Sequence, residues 1–130
     1  LVTQAKYGRN LKALAVGTYN KNGNFVYKTF DGSTLTEDKV SNGTFTISYP
    51  SGWFDGADDV TVIVSAAGTT DGSHLATAVL SQINNDGDSP NFVIKTGDRT
   101  SDAVDASFQF IIVNANDWVN TQYELYTPTT

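Results

Sequence analysis

The chain holds one histidine, His74, and no cysteine. A Ser-His-Asp triad needs a serine on a nucleophile elbow or in a comparable context, and no serine here stands in one. A zinc site would have His74 plus carboxylates alone, without a thiolate or an HExxH pair. His74 therefore reads as an exposed loop residue, with contact to a ligand as the alternative, and no catalytic residue is expected.

Two acidic loops come next. One is Trp53-Phe54-Asp55-Gly56-Ala57-Asp58-Asp59, the other Asn84-Asn85-Asp86-Gly87-Asp88-Ser89. Calcium takes oxygen ligands from such loops, and a glycine permits the sharp turn. The EF-hand spacing fails, because Lys95 and Gly97 stand where a closing Glu is needed. Solvated turns are the expectation, with Asp86 and Asp88 kept as weak cation candidates. A glycosidase pair is conceivable among these carboxylates, but nothing in their spacing favours it over turn propensity. No cofactor is expected.

The aromatic residues are more informative. Trp53 and Phe54 follow a strand pattern at a place where alternation does not call for them. Exposed rings beside Asp, Asn and Ser make sugar platforms, because ring faces stack on the sugar while polar groups take its hydroxyls. The competing reading is that both rings plug one end of the fold. Candidate ligand contacts are thus Trp53, Phe54 and Asp55, with Asp71 and His74 from the following loop. Trp118, after Asn114-Ala115-Asn116-Asp117, is open between a plug and a subunit contact.

The elements that position these residues read as strands. Hydrophobic residues make up 39% and charged residues 17% of the chain, with seven Phe and six Tyr, a balance that favours sheet. Phe45, Ile47 and Tyr49 alternate with Thr44, Thr46 and Ser48 in the clearest strand, which Pro50 stops. Val60, Val62 and Val64 repeat the pattern, Phe92 and Ile94 mark a short strand, and Phe108, Phe110 and Ile112 a strong one. Ile111 and Val113 make that last strand apolar on both faces, as in a central strand or one with a second buried surface at a subunit contact. Further strands are expected over Leu11 to Tyr19, Asn24 to Phe30 and Ala76 to Ile83. Asn20-Lys21-Asn22-Gly23 reads as a hairpin turn, and turn pairs recur at Asp31-Gly32, Asn42-Gly43, Asp55-Gly56, Asp71-Gly72 and Asp86-Gly87. Short strands so punctuated predict a single all-β domain over residues 1–130, an antiparallel β-sandwich with jelly-roll and immunoglobulin-like topologies both open.

At 130 residues the chain suffices for one core without disulfides. Residues 1–10 are weakly patterned and are expected to continue from an upstream segment. Residues 121–130 read as a terminal strand, an arm or a tail. With no methionine and Leu1 first, the chain looks like a piece of a larger protein. No run approaches the roughly 20 apolar residues that cross a bilayer, and no signal-peptide h-region is present. Net charge is −6, which repels a phosphate backbone, so nucleic acid is not an expected partner.

Taken in order, Ala13-Leu14-Ala15-Val16-Gly17, a turn at Asn22-Gly23, Gly43-Thr44-Phe45-Thr46-Ile47-Ser48-Tyr49 and Val60-x-Val62-x-Val64 form one series. Ala78-Val79, Phe92-x-Ile94-x-Thr96 and Asp105-x-x-Phe108-x-Phe110-x-Ile112 complete it. This order resembles a module at the C-terminal tips of tailed-phage fibres and related virion attachment proteins, over Ala13 to Val113. The resemblance implies a small homotrimeric β-sandwich on the virion surface that meets a host receptor through loops at its outer end. It fixes no contact residue, and the segment after Asn114 lies beyond it. A host-surface glycan is the expected ligand. A structural decoration or baseplate module, and a cellular carbohydrate-binding or adhesin domain, are the alternatives.

Overall fold

A computed structural model describes residues 13–20, 22–68, 76–98 and 102–115. Their strands are β1 (Ala13–Asn20), β2 (Asn24–Thr29), β3 (Thr36–Ser41), β4 (Thr44–Ser48), β5 (Val60–Gly68), β6 (Ala76–Asn84), β7 (Asn91–Asp98) and β8 (Ser107–Asn114). One 3-10 turn, Ala57–Asp59, precedes β5. None of the described helices is long and apolar enough to cross a membrane.

Two four-stranded antiparallel sheets result, ordered β2-β1-β8-β5 and β3-β4-β7-β6. The chain is an all-β sandwich. Its strand order is not that of an immunoglobulin domain, whose sheets run A-B-E-D and C-F-G. β1 and β8 are central in the first sheet, β4 and β7 in the second, and β5 meets β6 along one flank.

Alternation explains how the layers close. Phe45 and Ile47 on β4, Phe92 and Ile94 on β7, and Phe108 and Ile112 on β8 are all 0% exposed, with Phe110 at 2%. Facing side chains from both sheets exclude water between them. Gly17 on β1 lies opposite Phe110 on β8, whose ring fills the space that a Cβ at Gly17 would occupy.

Strand β3 carries no hydrophobic alternation and is absent from the sequence expectation. Its inward positions, Glu37 and Lys39, pair with Ile47 and Phe45 across the sheet. An edge strand tolerates this, and charges pointing inward there discourage edge-to-edge association. Lys39 Nζ forms an ion pair with Asp105 Oδ2 at 2.5 Å. Burial pushes the Asp105 carboxyl up, but hydrogen bonds from Lys39 and the Gly43 N–H, with the Lys39 charge, bring it below its ordinary value.

That carboxylate also holds the β3–β4 turn. Gly43 N–H donates to Asp105 Oδ1 at 2.8 Å, and Gly43 O accepts from Thr96 N–H at 2.8 Å. Gly43 has φ +70, and an added Cβ would stand 2.5 Å from Thr96 O. Gly52 also has positive φ, at +95, but open space around the added atom.

The outer faces differ in chemistry. On the second sheet, Thr36-Ser48-Asn91-Asn84 and Asp38-Thr46-Val93-Gln82 form cross-strand rows. On the first, Ile63, Ile111 and Val16 sit side by side on β5, β8 and β1. They are 55%, 39% and 42% exposed, and Val113 is 6% exposed. β8 is thus a central strand, as its two apolar faces suggest.

Gly43→Ala should destabilise more than Gly52→Ala in denaturant titrations. Both carry a left-handed penalty of about 1–3 kcal/mol, and only the first adds a backbone collision. Equal losses would show that the Gly43 contact is relieved at no cost. Because Asp105 is held below its ordinary value when folded, its contribution is present above the unfolded carboxylate pKa of about 3.9 and fades as pH falls through the lower folded value. Wild type should exceed Asp105→Asn in stability at neutral pH, and the two should converge on acidification. A gap independent of pH would contradict this account.

Candidate functional site

Three loops gather at one end of the sandwich, because β2, β4 and β6 all finish there: residues 30–35, 49–59 and 85–90. They bring together Trp53, Phe54, Asp55, Asp86 and Asp88 from the sequence candidates. Asp71, His74 and Trp118 lie outside the described residues. The strand ends that flank Asp71 and His74, at β5 and β6, are at the opposite end from Trp53.

The two rings of Trp53-Phe54 part company. Phe54 is 7% exposed and edge-on to Tyr49 at 5.4 Å, so it belongs to the core and corrects the expectation of a surface ring there. Adjacent residues of an extended segment point to opposite sides, and the second one turns inward. Trp53 is partly buried, stacked against Tyr49 at 6.2 Å and tilted against Phe30 at 5.9 Å. Both readings of the pair therefore hold in part, with Phe54 as plug and Trp53 half plug, half surface.

Hydrogen bonds fix the indole. Trp53 Nε1–H donates to Asp31 Oδ2 at 3.2 Å, and Trp53 O accepts from Asn114 Nδ2 at 3.2 Å. Asp31 Oδ1 accepts from Ser33 N–H at 3.0 Å in an Asx turn. The Ser33 hydroxyl and N–H, then the indole N–H, hold the Asp31 carboxyl below its ordinary value. Gly32 supplies φ +79 inside this turn.

Phe30 is the ring that sequence reasoning missed. It is 50% exposed beside Trp53. It reads as the last apolar residue of a strand, whereas β2 stops at Thr29 and the ring swings onto the loop end. The Asp31-Gly32 pair was the available signal, since a turn there releases the preceding side chain from the sheet.

Polar groups edge the same end. Gln82 Nε2 donates to Asn84 Oδ1 at 2.9 Å, Asn84 Nδ2 to Asn91 Oδ1 at 3.0 Å, and Asn91 Nδ2 to Ser89 O at 3.1 Å. The Tyr49 hydroxyl donates to Asn85 Oδ1 at 2.6 Å. Burial, with the Asp86 charge behind it, pushes the Tyr49 phenol up to about 12. Asp86 and Asp88 are exposed in the β6–β7 turn, where Gly87 has φ +75. Among the described residues, no three His, Cys, Asp or Glu side chains are placed to share a metal ion.

The other surface of note is the outer face of the first sheet. A shallow depression of about 420 Å³ there is lined in part by Val16, Thr18, Val26, Lys28, Gln109 and Ile111. Compared with known proteins, the chain matches no family model, no curated protein and no solved structure. The likeness to fibre-tip modules therefore rests on the residues quoted for it.

The Tyr49 phenol should ionise only as pH approaches about 12 in an ultraviolet titration, and Tyr49→Phe should remove that step. Its folded pKa exceeds the unfolded value of about 10, so its contribution is complete below that pH. It is lost as pH rises toward about 12, where the folded phenol also ionises. A late step that persists in Tyr49→Phe would reassign it.

Proposed function

We propose that this chain is a non-enzymatic attachment domain, carried at the tip of a virion fibre, that meets a host-surface glycan through the loop end bearing Phe30 and Trp53. The observation that carries the reading is the half-exposed Phe30 ring against the indole of Trp53, with the Asp31 carboxylate bonded to that indole. Ring faces offer apolar contact, and a carboxylate with spare lone pairs accepts from hydroxyls. The amides of Asn84, Asn85 and Asn91 edge the same end and serve the same purpose. The resemblance of the motif order from Ala13 to Val113 to fibre-tip modules is the ground for a virion-surface location.

The partner on the other surface is a further copy of the chain, in a homotrimer. Val16, Ile63 and Ile111 form an apolar row, and the neighbouring outward positions Thr18, Val26, Lys28, Ser65 and Gln109 add no carboxylate. Interface cores are depleted of charge in this way. On a chain of net charge −6, a face without carboxylates is where two copies approach with least repulsion. The same row also favours the second reading, a structural module whose role is packing against neighbouring copies.

Two measurements separate these readings. On a glycan array the wild-type chain should bind, and Phe30→Ala should weaken binding about tenfold, a loss of roughly 1.4 kcal/mol. Phe30 is exposed enough for the variant to fold. A chain that trimerises yet binds no glycan would support the structural module instead. Mass in solution should correspond to three chains, and Ile63→Glu should reduce it to one. A monomer at all concentrations would remove the self-association half of the proposal.

A further inference from the structure

Asn22 and Asn42 are the two asparagines of the chain that are followed by glycine. Such a pair carries its own reaction. The glycine backbone nitrogen, once it gives its proton to hydroxide, attacks Cγ of the asparagine side chain. The N–Cγ bond forms, the Cγ–Nδ2 bond breaks, and Nδ2 takes a proton from water and leaves as ammonia. Water then opens the cyclic imide at either carbonyl, giving aspartate or isoaspartate. A Cβ on the following residue obstructs the attack, and glycine has none. By sequence the two sites are equal.

The fold treats them differently. Both asparagines are exposed in hairpin turns, Asn22 between β1 and β2 and Asn42 between β3 and β4. Gly23 is exposed as well, and nothing stands within 4 Å of the place its Cβ would take. Its N–H donates to Asn20 O at 2.7 Å, and Asn22 N–H donates to Asn20 Oδ1 at 2.8 Å. These bonds are local, and an exposed turn held by local bonds opens at little cost. Gly43 is buried. Its N–H donates to Asp105 Oδ1 at 2.8 Å, and its O accepts from Thr96 N–H at 2.8 Å. Asp105 lies 62 residues further along the chain, so losing that bond requires the hairpin to part from the segment before β8.

The charge of the acceptor decides the rest. The reaction begins with loss of the glycine N–H proton. A carboxylate that accepts from this N–H opposes the loss, because the bond favours the protonated nitrogen and the charge repels the anion left behind. A neutral carbonyl such as Asn20 O opposes it less. Lys39 pairs with the other Asp105 oxygen and fixes the carboxylate against the turn.

We propose that Asn22 is a site of spontaneous deamidation and that Asp105 withholds the same reaction from Asn42. The product at Asn22 adds a carboxylate to a chain of net charge −6. Isoaspartate there also lengthens the main chain inside the turn that sets β2 in register on β1. The turn lies at the end of the sandwich away from Phe30 and Trp53, so the modification is independent of the proposed ligand surface.

The test holds the full chain in mildly alkaline buffer at physiological temperature and follows each asparagine by peptide mapping. An isoaspartate-specific methyltransferase supplies a second readout. Over days Asn22 should gain about one dalton. Asn42 should react at least about tenfold more slowly, the worth of one charge-assisted hydrogen bond. In denaturant the two rates should come together. Asp105→Asn, which leaves a neutral acceptor in the same place, should accelerate Asn42 severalfold and leave Asn22 unchanged. Lys39→Ala loosens the same hairpin but keeps the carboxylate on the Gly43 N–H, and Asn42 should stay slow in it. Equal rates in the folded wild type would overturn the proposal, as would a gap that persists in denaturant. Acceleration of Asn42 by Lys39→Ala as large as by Asp105→Asn would remove the role given to the Asp105 carboxylate, as would an unchanged Asn42 rate in Asp105→Asn.

Discussion

A continuous column of aromatic contacts holds the two sheets in register. Tyr19 packs on Phe45 at 4.6 Å, Phe45 on Phe108 at 5.2 Å, and Phe108 on Phe110 at 6.4 Å. Phe110 then meets Phe92 at 5.6 Å, Phe92 meets Tyr49 at 6.2 Å, and Tyr49 meets Trp53 at 6.2 Å. Three of these contacts, Tyr19–Phe45, Phe45–Phe108 and Phe110–Phe92, cross between the sheets and join their central strands β1, β4, β7 and β8, while Phe108–Phe110 runs along β8 and Tyr49–Trp53 lies in the loop after β4. Truncating a fully buried ring such as Phe45 to alanine removes about 3–5 kcal/mol, a large share of a typical domain's stability. Gly17 belongs to the same constraint, since a side chain there would displace Phe110 from the middle of the column.

The column ends at the surface, and its ends differ. At one, Tyr19 lies among Glu37, Lys39 and Asp105, whose charges act on its phenol after burial has already raised it. There the Asp105–Lys39 pair and the Gly43 hydrogen bonds tie an edge hairpin to the segment before β8. At the other, Trp53 and Phe30 continue the column into solvent. The exposed rings are therefore braced by the core, and a ligand meeting them finds side chains whose freedom has already been lost.

How much of this the sequence disclosed follows from where hydrophobic contrast exists. β4, β5, β7 and β8 announce themselves because one face is buried and alternation survives, as in Phe45-x-Ile47. β3 is silent because its inward residues are Glu37 and Lys39, admitted by an edge position and answered by Asp105, which lies 66 residues further on than Lys39 in the chain. Turn pairs with Gly at positive φ, at Asp31-Gly32, Asn42-Gly43 and Asp86-Gly87, are where alternation suggests. Asp55-Gly56 is different: Gly56 is extended, with φ −154, and Gly52 takes the positive φ in that loop. The site was half legible for the same reason. Trp53 stood out by type, but which face of the Trp53-Phe54 pair turned inward depended on Tyr49, and Phe30 passed for a strand residue because the end of β2 is set by its pairing with β1.

The two sheets divide the remaining work by what they show to water. The second sheet is faced mostly with Thr, Ser, Asn and Gln, interrupted by Asp38, Lys95, Val93 and the exposed Val79, and its amides bond one another along the rim from Gln82 to Ser89. Such a face is well solvated and gains little from being covered. The first sheet sets Val16, Ile63 and Ile111 in one row across three strands, and covering that row removes apolar surface at roughly 25 cal/mol per Å². The proposed self-association and the proposed recognition therefore draw on different surfaces, an apolar sheet face built from β1, β5 and β8 and an aromatic loop end built on Phe30 and Trp53.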